Sequence, residues 1–202
     1  MRVADKITAV RILLAPVFFF VYFLPRYAGG GFAPWTVPVL WIIFVISEIT
    51  DMIDGMVARK RGEVSDFGKL FDPFADTLVQ LSYFLCFVLE GILPAFLFLV
   101  VLYREFSILF VRNLMLRKGI AMGARITGKI KTVAYIVTGA GALLMSSLSR
   151  MGDPGEAFSA AAPVHRILYG AVMAAFILSV LLSVLSFADY IRAYRRVEAA
   201  SS

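Results

Sequence analysis

The sequence predicts an all-α, polytopic membrane protein with six transmembrane helices and a short N-terminal interfacial helix. Of its 202 residues, 60% are hydrophobic and only 17% are charged, whereas an average soluble domain has about 25% charged residues. The mean hydropathy is +0.85, and the apolar residues are concentrated in six stretches of about the 20 residues that cross a bilayer. Together these observations exclude a soluble globular domain, a disordered chain and a disulfide scaffold.

Six apolar stretches define the predicted spans. They cover Thr8–Leu24, Pro34–Ile49, Phe74–Leu89, Leu93–Met115, Ile126–Leu148 and Val164–Ala188. Residues that interrupt helices lie between several of them: Pro25 with the glycines at 29–31, the polar turn Arg59–Phe67, Glu90 and Gly91 with Pro94, and the segment 151–155. With no internal repeat, low-complexity tract or linker, residues 1–202 are expected to form a single domain.

The segment before the first span, Met1–Arg11, is charged and amphipathic. A signal peptide also has a basic start and an apolar run, but a small-residue cleavage site should then follow. The residues after the run, Leu24 to Tyr27, are a poor cleavage site. We therefore interpret Met1–Arg11 as an interfacial helix that leads into a permanent span.

The basic residues predict the orientation. With a cytoplasmic N-terminus, 16 of the 20 lysines and arginines lie on the cytoplasmic side, as the positive-inside rule requires. We therefore expect an integral protein of the inner or plasma membrane with both termini in the cytoplasm. The net charge of +6 follows from these loops, and we expect membrane lipids rather than nucleic acid as partners. One cysteine and one histidine exclude an intrachain disulfide and disfavour a histidine-built metal site.

Four aspartates stand out because acidic residues are scarce in this chain. Asp51 and Asp54 are three residues apart at the predicted cytoplasmic end of the second span, and Asp72 and Asp76 are four apart at the start of the third. Each pair therefore shares one face of a helix, and a hairpin of the two helices brings four carboxylates together. One such aspartate reads most simply as a helix cap or loop charge, but four at this spacing favour a site for hard divalent cations.

The residues around these aspartates resemble the defining motif of the CDP-alcohol phosphotransferases. Every fixed position and gap of the motif matches, namely Asp51, Asp54, Gly55, Ala58, Arg59, Gly68, Asp72 and Asp76. The resemblance implies a six-helix, homodimeric membrane enzyme that transfers a phosphatidyl or similar group from a CDP-linked donor to an alcohol and releases CMP. It also implies a cytoplasmic active site with two divalent cations, Mg²⁺ or Mn²⁺.

The same resemblance assigns roles to these residues. Asp51, Asp54 and Asp72 are expected to be the main metal ligands, and Asp76 to assist them and to act as general base on the acceptor hydroxyl. The pocket for the cytidine and pyrophosphate is expected to be lined by Gly55, Ala58, Arg59 and Gly68. Thr8 and Arg11 resemble a Thr-x-x-Arg pattern near the N-terminus of family members, which implies contacts with the donor. In the alternative interpretation Arg11 only anchors the helix at the lipid headgroups.

Four further basic residues indicate the acceptor. Arg104 lies near the middle of the fourth span, where a charged residue is a candidate for function. Arg112 is eight residues further on and about 80° round the helix, so both can face one cavity, and Lys129 and Lys131 begin the fifth span. A cationic pocket predicts an anionic acceptor, most simply a phosphate, although the two lysines can also be read as positive-inside anchors.

The pattern of Arg104 with Glu105, Arg112, and Gly128 to Thr132 resembles the bacterial phosphatidylglycerophosphate synthases of that family. This resemblance implies CDP-diacylglycerol as donor, glycerol 3-phosphate as acceptor, and phosphatidylglycerol phosphate as product. Inositol phosphate, phosphatidylglycerol and serine remain open as alternative acceptors. A small cation transporter that uses the aspartates as a permeation site is an alternative from another class. It is disfavoured because the outer halves of the spans are nearly uncharged.

Overall fold

The computed structural model describes residues 3–61, 66–117, 126–151 and 163–201, and within them it leaves the side chains of 3–7, 32, 51–67, 69–70, 117, 126 and 197–201 undescribed. The described residues form six α-helices and no strand, which confirms the predicted fold class. The helices are α1 Val3–Ala28, α2 Ala33–Arg61, α3 Asp66–Leu89, α4 Ala95–Arg117, α5 Ile126–Met151 and α6 Pro163–Ser201, with a short 3₁₀ turn at Gly30–Phe32.

The predicted interfacial helix at the N-terminus is not a separate element. Helix α1 begins at Val3 and continues without interruption through the first span. It also passes through Pro25, where the apolar pattern predicts a break, and ends at Ala28. The next residue, Gly29, has a φ of 104°, a left-handed conformation that glycine adopts readily and that ends a helix.

The predicted polar turn between the second and third spans is shorter than expected. Helix α2 extends through Arg61 and α3 already begins at Asp66, so both ends of the predicted turn Arg59–Phe67 are helical. The apolar pattern marks the part of a helix that faces lipid or core, whereas the backbone helix continues into polar residues. The motif aspartates therefore lie inside α2 and α3 rather than at their ends.

The turn between α3 and α4 confirms the break predicted at Glu90 and Gly91. Gly91 has a φ of 82°, and the N–H of Ile92 donates to the carbonyl of Phe87 at 2.9 Å. This arrangement satisfies carbonyl groups that the end of α3 would otherwise leave without partners.

Helix α3 lies at the centre of the bundle. The ring of Tyr83 packs against Phe18 of α1 with a centroid distance of 4.4 Å and against Phe44 of α2 at 5.3 Å. On the other side, the ring of Phe84 packs against Tyr135 of α5 and Phe176 of α6, both at 5.3 Å. The full burial of Tyr83, Phe84, Cys86 and Phe87 is consistent with this central position.

Within the described residues, four helices are long and apolar enough to cross a membrane, in the segments Thr8–Ala28, Ala33–Thr50, Thr127–Met151 and Pro163–Arg196. Helices α3 and α4 have 24 and 23 residues, and at 1.5 Å per residue each spans about 35 Å. Both carry charged residues within their apolar stretches, namely Asp76 in α3 and Arg104 and Glu105 in α4. The apolar helices show that the protein is an integral membrane protein.

A polar cluster joins α1, α2 and α5 to the turn after α3. The Tyr22 hydroxyl donates to the Glu90 carboxylate. The Arg150 guanidinium lies 3.6 Å from that carboxylate and 4.2 Å from the Tyr22 ring centroid. Arg150 also donates to Ser146 Oγ at 3.1 Å and to Thr36 Oγ1 at 3.0 Å. The sequence did not suggest this cluster.

We expect Arg150→Met to destabilise the protein without changing its substrate affinity. The substitution removes the hydrogen bonds to Thr36 and Ser146 and leaves Glu90 without its cationic neighbour, a loss of about 1–3 kcal/mol. Thermal unfolding in detergent measures the effect. Arg166→Met is the matched control, because Arg166 is exposed near the start of α6. Equal unfolding temperatures for the two variants would contradict the conclusion that the contacts of Arg150 stabilise the fold.

Candidate active site

A polar cavity of about 310 Å³ lies between the helices. Every helix contributes to its lining, for example through Arg11 of α1, Ser47 of α2, Asp76 of α3, Arg112 of α4, Lys131 of α5 and Ser186 of α6. A charged side chain inside a membrane helix is costly and usually marks a functional site. The cavity is therefore the candidate site.

Asp72 and Asp76 are both held by α1. The Thr8 hydroxyl donates to Asp72 Oδ1 at 2.9 Å, and the Arg11 guanidinium lies 2.8 Å from Asp76 Oδ1. The pairs match because Thr8 and Arg11 are three residues apart on α1 while the aspartates are four apart on α3, so each pair occupies one helix face. The Arg11 side chain is only 3% exposed, which excludes the alternative that it is a headgroup anchor.

The other motif residues are described in less detail. Asp51, Asp54, Gly55, Ala58 and Arg59 belong to the helical backbone of α2, but their side chains lie outside the described residues. Gly68 is buried on α3, one turn before Asp72. Within the described ranges no group of three histidine, cysteine, aspartate or glutamate residues is arranged to hold a metal. Of the four predicted metal ligands, only Asp72 and Asp76 have described side chains.

The four predicted acceptor residues, Arg104, Arg112, Lys129 and Lys131, line the same cavity as Asp76. Their environments differ, and the difference divides them into two pairs. One pair is bound to a buried carboxylate, and the other is not.

Glu105 binds the first pair. Its Oε1 accepts hydrogen bonds from Arg104 Nη1 at 2.7 Å and from Lys131 Nζ at 2.9 Å. The Tyr135 hydroxyl lies 3.1 Å from the same oxygen and 2.8 Å from Ser183 Oγ. Arg104 Nε donates to the Ser183 carbonyl at 2.9 Å. Since Glu105 is only 5% exposed, it is a buried counterion that connects α4, α5 and α6.

Arg112 and Lys129 form the second pair. Arg112 donates through Nη2 to the Tyr190 hydroxyl at 2.9 Å, and its guanidinium carbon lies 5.4 Å from the centroid of the Tyr190 ring. This contact fixes the guanidinium plane. Lys129 is exposed at the cavity. No described ion pair neutralises either side chain, so this pair leaves net positive charge at the cavity.

Several residues of the site were missed by sequence reasoning. In the sequence, Glu105 stands out only as a neighbour of Arg104, and no motif marks Tyr135, Ser183, Ser186 or Tyr190. A signal exists on α6, where Ser179, Ser183, Ser186 and Tyr190 recur at spacings of four, three and four residues. That spacing places them on one face of an otherwise apolar helix.

Together, the fold and the cavity define a class: integral membrane proteins whose helices enclose a polar site of carboxylates and cations. Comparison with known proteins identifies the family within that class. The model of the CDP-alcohol phosphatidyltransferase family matches residues 1–185, and the chain belongs to this family. Members of the family are transferases and generally depend on divalent cations.

Individual relatives cover most of the chain. It is 35% identical to the CDP-diacylglycerol–glycerol-3-phosphate 3-phosphatidyltransferase of Treponema pallidum, over 96% of this chain and 89% of the relative. It is also 35% identical to the enzyme of that name from Bacillus subtilis, over 71% of this chain and 77% of the relative. The CMP-forming cardiolipin synthase of Streptomyces coelicolor is 30% identical over 59% of this chain and 54% of the relative.

Proposed function

We propose that the protein transfers the phosphatidyl group of CDP-diacylglycerol to glycerol 3-phosphate. The products are phosphatidylglycerol phosphate and CMP, as in phospholipid biosynthesis. The observation that carries the proposal is that Asp76 and five cationic side chains line one cavity. An anionic acceptor matches this lining, and the names of the relatives from Treponema pallidum and Bacillus subtilis support this acceptor.

In the proposed reaction the acceptor hydroxyl oxygen attacks the phosphorus that carries the diacylglycerol. A new P–O bond forms, the pyrophosphate P–O bond to CMP breaks, and CMP leaves with the bonding electrons. Asp76 takes the proton of the hydroxyl as general base, which requires hydrogen-bond reach between the two. The ion pair with Arg11 at 2.8 Å orients the Asp76 carboxylate for this step.

The donor is proposed to bind beside α1, α2 and α3. Gly55, Ala58, Arg59 and Gly68 line its pocket, and Thr8 and Arg11 fix the aspartates of α3 next to it. Two glycines and an alanine leave space for the close approach of a nucleotide. Both termini and the active site are further proposed to lie on the cytoplasmic side, because a cytoplasmic N-terminus places most lysines and arginines there. The chain is also proposed to work as a homodimer, as the family resemblance implies.

The donor atoms of the site fit hard divalent cations. Asp51, Asp54, Asp72 and Asp76 offer carboxylate oxygens, which Mg²⁺ and Mn²⁺ prefer. The softer ligands lie elsewhere, because Cys86 is buried in the core and His165 stacks on Tyr169 near the start of α6. Two such cations, held by the four aspartates, would neutralise negative charge on the reacting oxygens.

We expect removal of divalent cations to abolish activity reversibly. Treatment with EDTA should stop CMP release, and Mg²⁺ or Mn²⁺ should restore it. The measurement is the initial rate of CMP release in detergent after dialysis, with Ca²⁺ and Zn²⁺ as comparison ions. Full activity in the presence of excess EDTA would contradict the assignment of the aspartates as metal ligands.

A panel of acceptors tests the proposed substrate. Purified protein should release CMP from CDP-diacylglycerol with glycerol 3-phosphate, and much more slowly with inositol phosphate, serine, phosphatidylglycerol or glycerol. Glycerol is the matched control because it differs from the proposed acceptor only in the missing phosphate. Faster release with phosphatidylglycerol or serine would replace the acceptor but leave the donor chemistry in place. CMP release with none of the alcohols would contradict the proposal as a whole.

A further inference from the structure

Helix α6 presents a buried polar stripe to α4 and α5. It consists of Ser179, Ser183, Ser186 and Tyr190, all at most 2% exposed. Three of the four have clear partners. Ser179 donates to the Phe176 carbonyl at 2.7 Å, Ser183 contacts Tyr135 at 2.8 Å, and Tyr190 accepts from Arg112 at 2.9 Å.

Ser186 differs from the rest of the stripe. Its exposed fraction is 0%, it lines the cavity, and its hydroxyl has no hydrogen-bond partner among the described residues. A buried serine in a helix normally donates to a carbonyl three or four residues earlier, as Ser179 does. A buried hydroxyl that does not do so carries a desolvation penalty. A ligand that accepted a hydrogen bond from the hydroxyl would remove this penalty.

Arg112 lies on the same cavity with a second open donor. Its Nε–H has no partner within the described part of the chain, while Nη2 is fixed on Tyr190, one helical turn after Ser186. Gly128 of α5 lies beside the serine, since a Cβ at that position would be 3.9 Å from Ser186 Oγ. The hydroxyl and the Nε–H are therefore both buried donors without a partner among the described residues.

Two other cations of the cavity are already bound to a carboxylate. Arg104 and Lys131 both donate to Glu105 Oε1, at 2.7 and 2.9 Å. A phosphate that bound Arg104 or Lys131 would compete with the buried Glu105 carboxylate, which already contacts both side chains. At Arg112, by contrast, a phosphate oxygen gains a charge-assisted hydrogen bond from a donor that is already desolvated.

We propose that the Ser186 hydroxyl and the Nε–H of Arg112 bind the phosphate of the acceptor, which makes Ser186 a residue that determines acceptor specificity. This inference rests on the proposed function. Tyr190 then holds the guanidinium in place, and Glu105 keeps Arg104 and Lys131 in the framework of the cavity.

Ser186→Ala tests this assignment. Because a hydrogen bond to a charged group is lost, the KM for glycerol 3-phosphate should rise about tenfold or more. The KM for CDP-diacylglycerol and kcat should stay within about twofold, as expected when only ground-state binding is removed. The unfolding temperature should not fall, because the hydroxyl has no partner among the described residues.

A second readout does not depend on turnover. Inorganic phosphate should raise the unfolding temperature of the wild-type protein in detergent, and this stabilisation should be lost in Ser186→Ala. Gly128→Ala should act in the same direction, since its methyl group would occupy the space next to the hydroxyl. Ser179→Ala is the matched control: it removes a serine hydroxyl from the same stripe, but one that donates to the backbone. It should leave both KM values and the phosphate effect unchanged.

An unchanged KM for glycerol 3-phosphate in Ser186→Ala would overturn the inference. So would equal stabilisation of the wild type and of Ser186→Ala by phosphate, or a rise in the KM for the donor as large as that for the acceptor. Failure of the proposed function can be distinguished from failure of this inference. In that case the wild-type protein itself would release no CMP with glycerol 3-phosphate.

Discussion

Asp76→Asn is expected to lower kcat by about 10³-fold, within the range that a general base contributes. Asparagine has the shape of aspartate but cannot take a proton from the acceptor hydroxyl, and it is a weaker ligand for a divalent cation. Its amide oxygen can still accept a hydrogen bond from Arg11, which lies 2.8 Å from Asp76 Oδ1. The measurement is the rate of CMP release at saturating donor and acceptor, with size-exclusion elution as the test of folding.

Asp189→Asn is the matched control. Asp189 lies on α6 and pairs with Arg192 at 3.6 Å, as the spacing of three residues predicts. It is not among the residues that line the cavity. The control should keep nearly full activity. Activity of Asp76→Asn within tenfold of the wild type would contradict the assignment of Asp76 as the base.

Glu105→Gln is expected to lower the free energy of unfolding by about 3–5 kcal/mol, the usual cost of removing one partner of a buried ion pair. Arg104 and Lys131 share the Glu105 carboxylate, and all three side chains are at most 14% exposed. Without the negative charge, two buried cations repel each other in a medium of low dielectric. The measurement is unfolding in detergent by heat and by denaturant.

A double variant separates this cause from a packing defect. Lys131→Met removes one of the two cations but keeps the apolar part of the side chain. In the Glu105→Gln background it should recover part of the lost stability, so the two changes should be clearly non-additive. Strictly additive losses would show that Glu105 is not the counterion of Lys131.

Much of the fold could be predicted because each apolar stretch is long enough to be a span. The errors arise where polar residues continue a helix. Val3 to Lys6 extend α1 before its apolar part, and the residues up to Arg61 extend α2. Pro25 shows a further limit of the pattern. A proline perturbs a helix but does not have to end it, whereas Gly29 with its φ of 104° does.

The candidate site could be predicted only where spacing within one helix carries the information. Asp72 and Asp76 are an example, as are Arg104 and Arg112. Contacts between distant helices leave no such pattern. Arg11 is 65 positions before Asp76 in the chain, and only packing brings them to 2.8 Å. Glu105 was ambiguous because neighbours in sequence do not face each other on a helix, yet the long side chain of Arg104 reaches it at 2.7 Å.

The most direct test of the proposed activity is the transfer of label from glycerol 3-phosphate into lipid. Purified protein in detergent, supplied with CDP-diacylglycerol and Mg²⁺ or Mn²⁺, should convert labelled glycerol 3-phosphate into an organic-soluble lipid with one CMP released for each label incorporated. Asp76→Asn should do neither. Release of CMP without incorporation of label, or incorporation that persists in Asp76→Asn, would contradict the account.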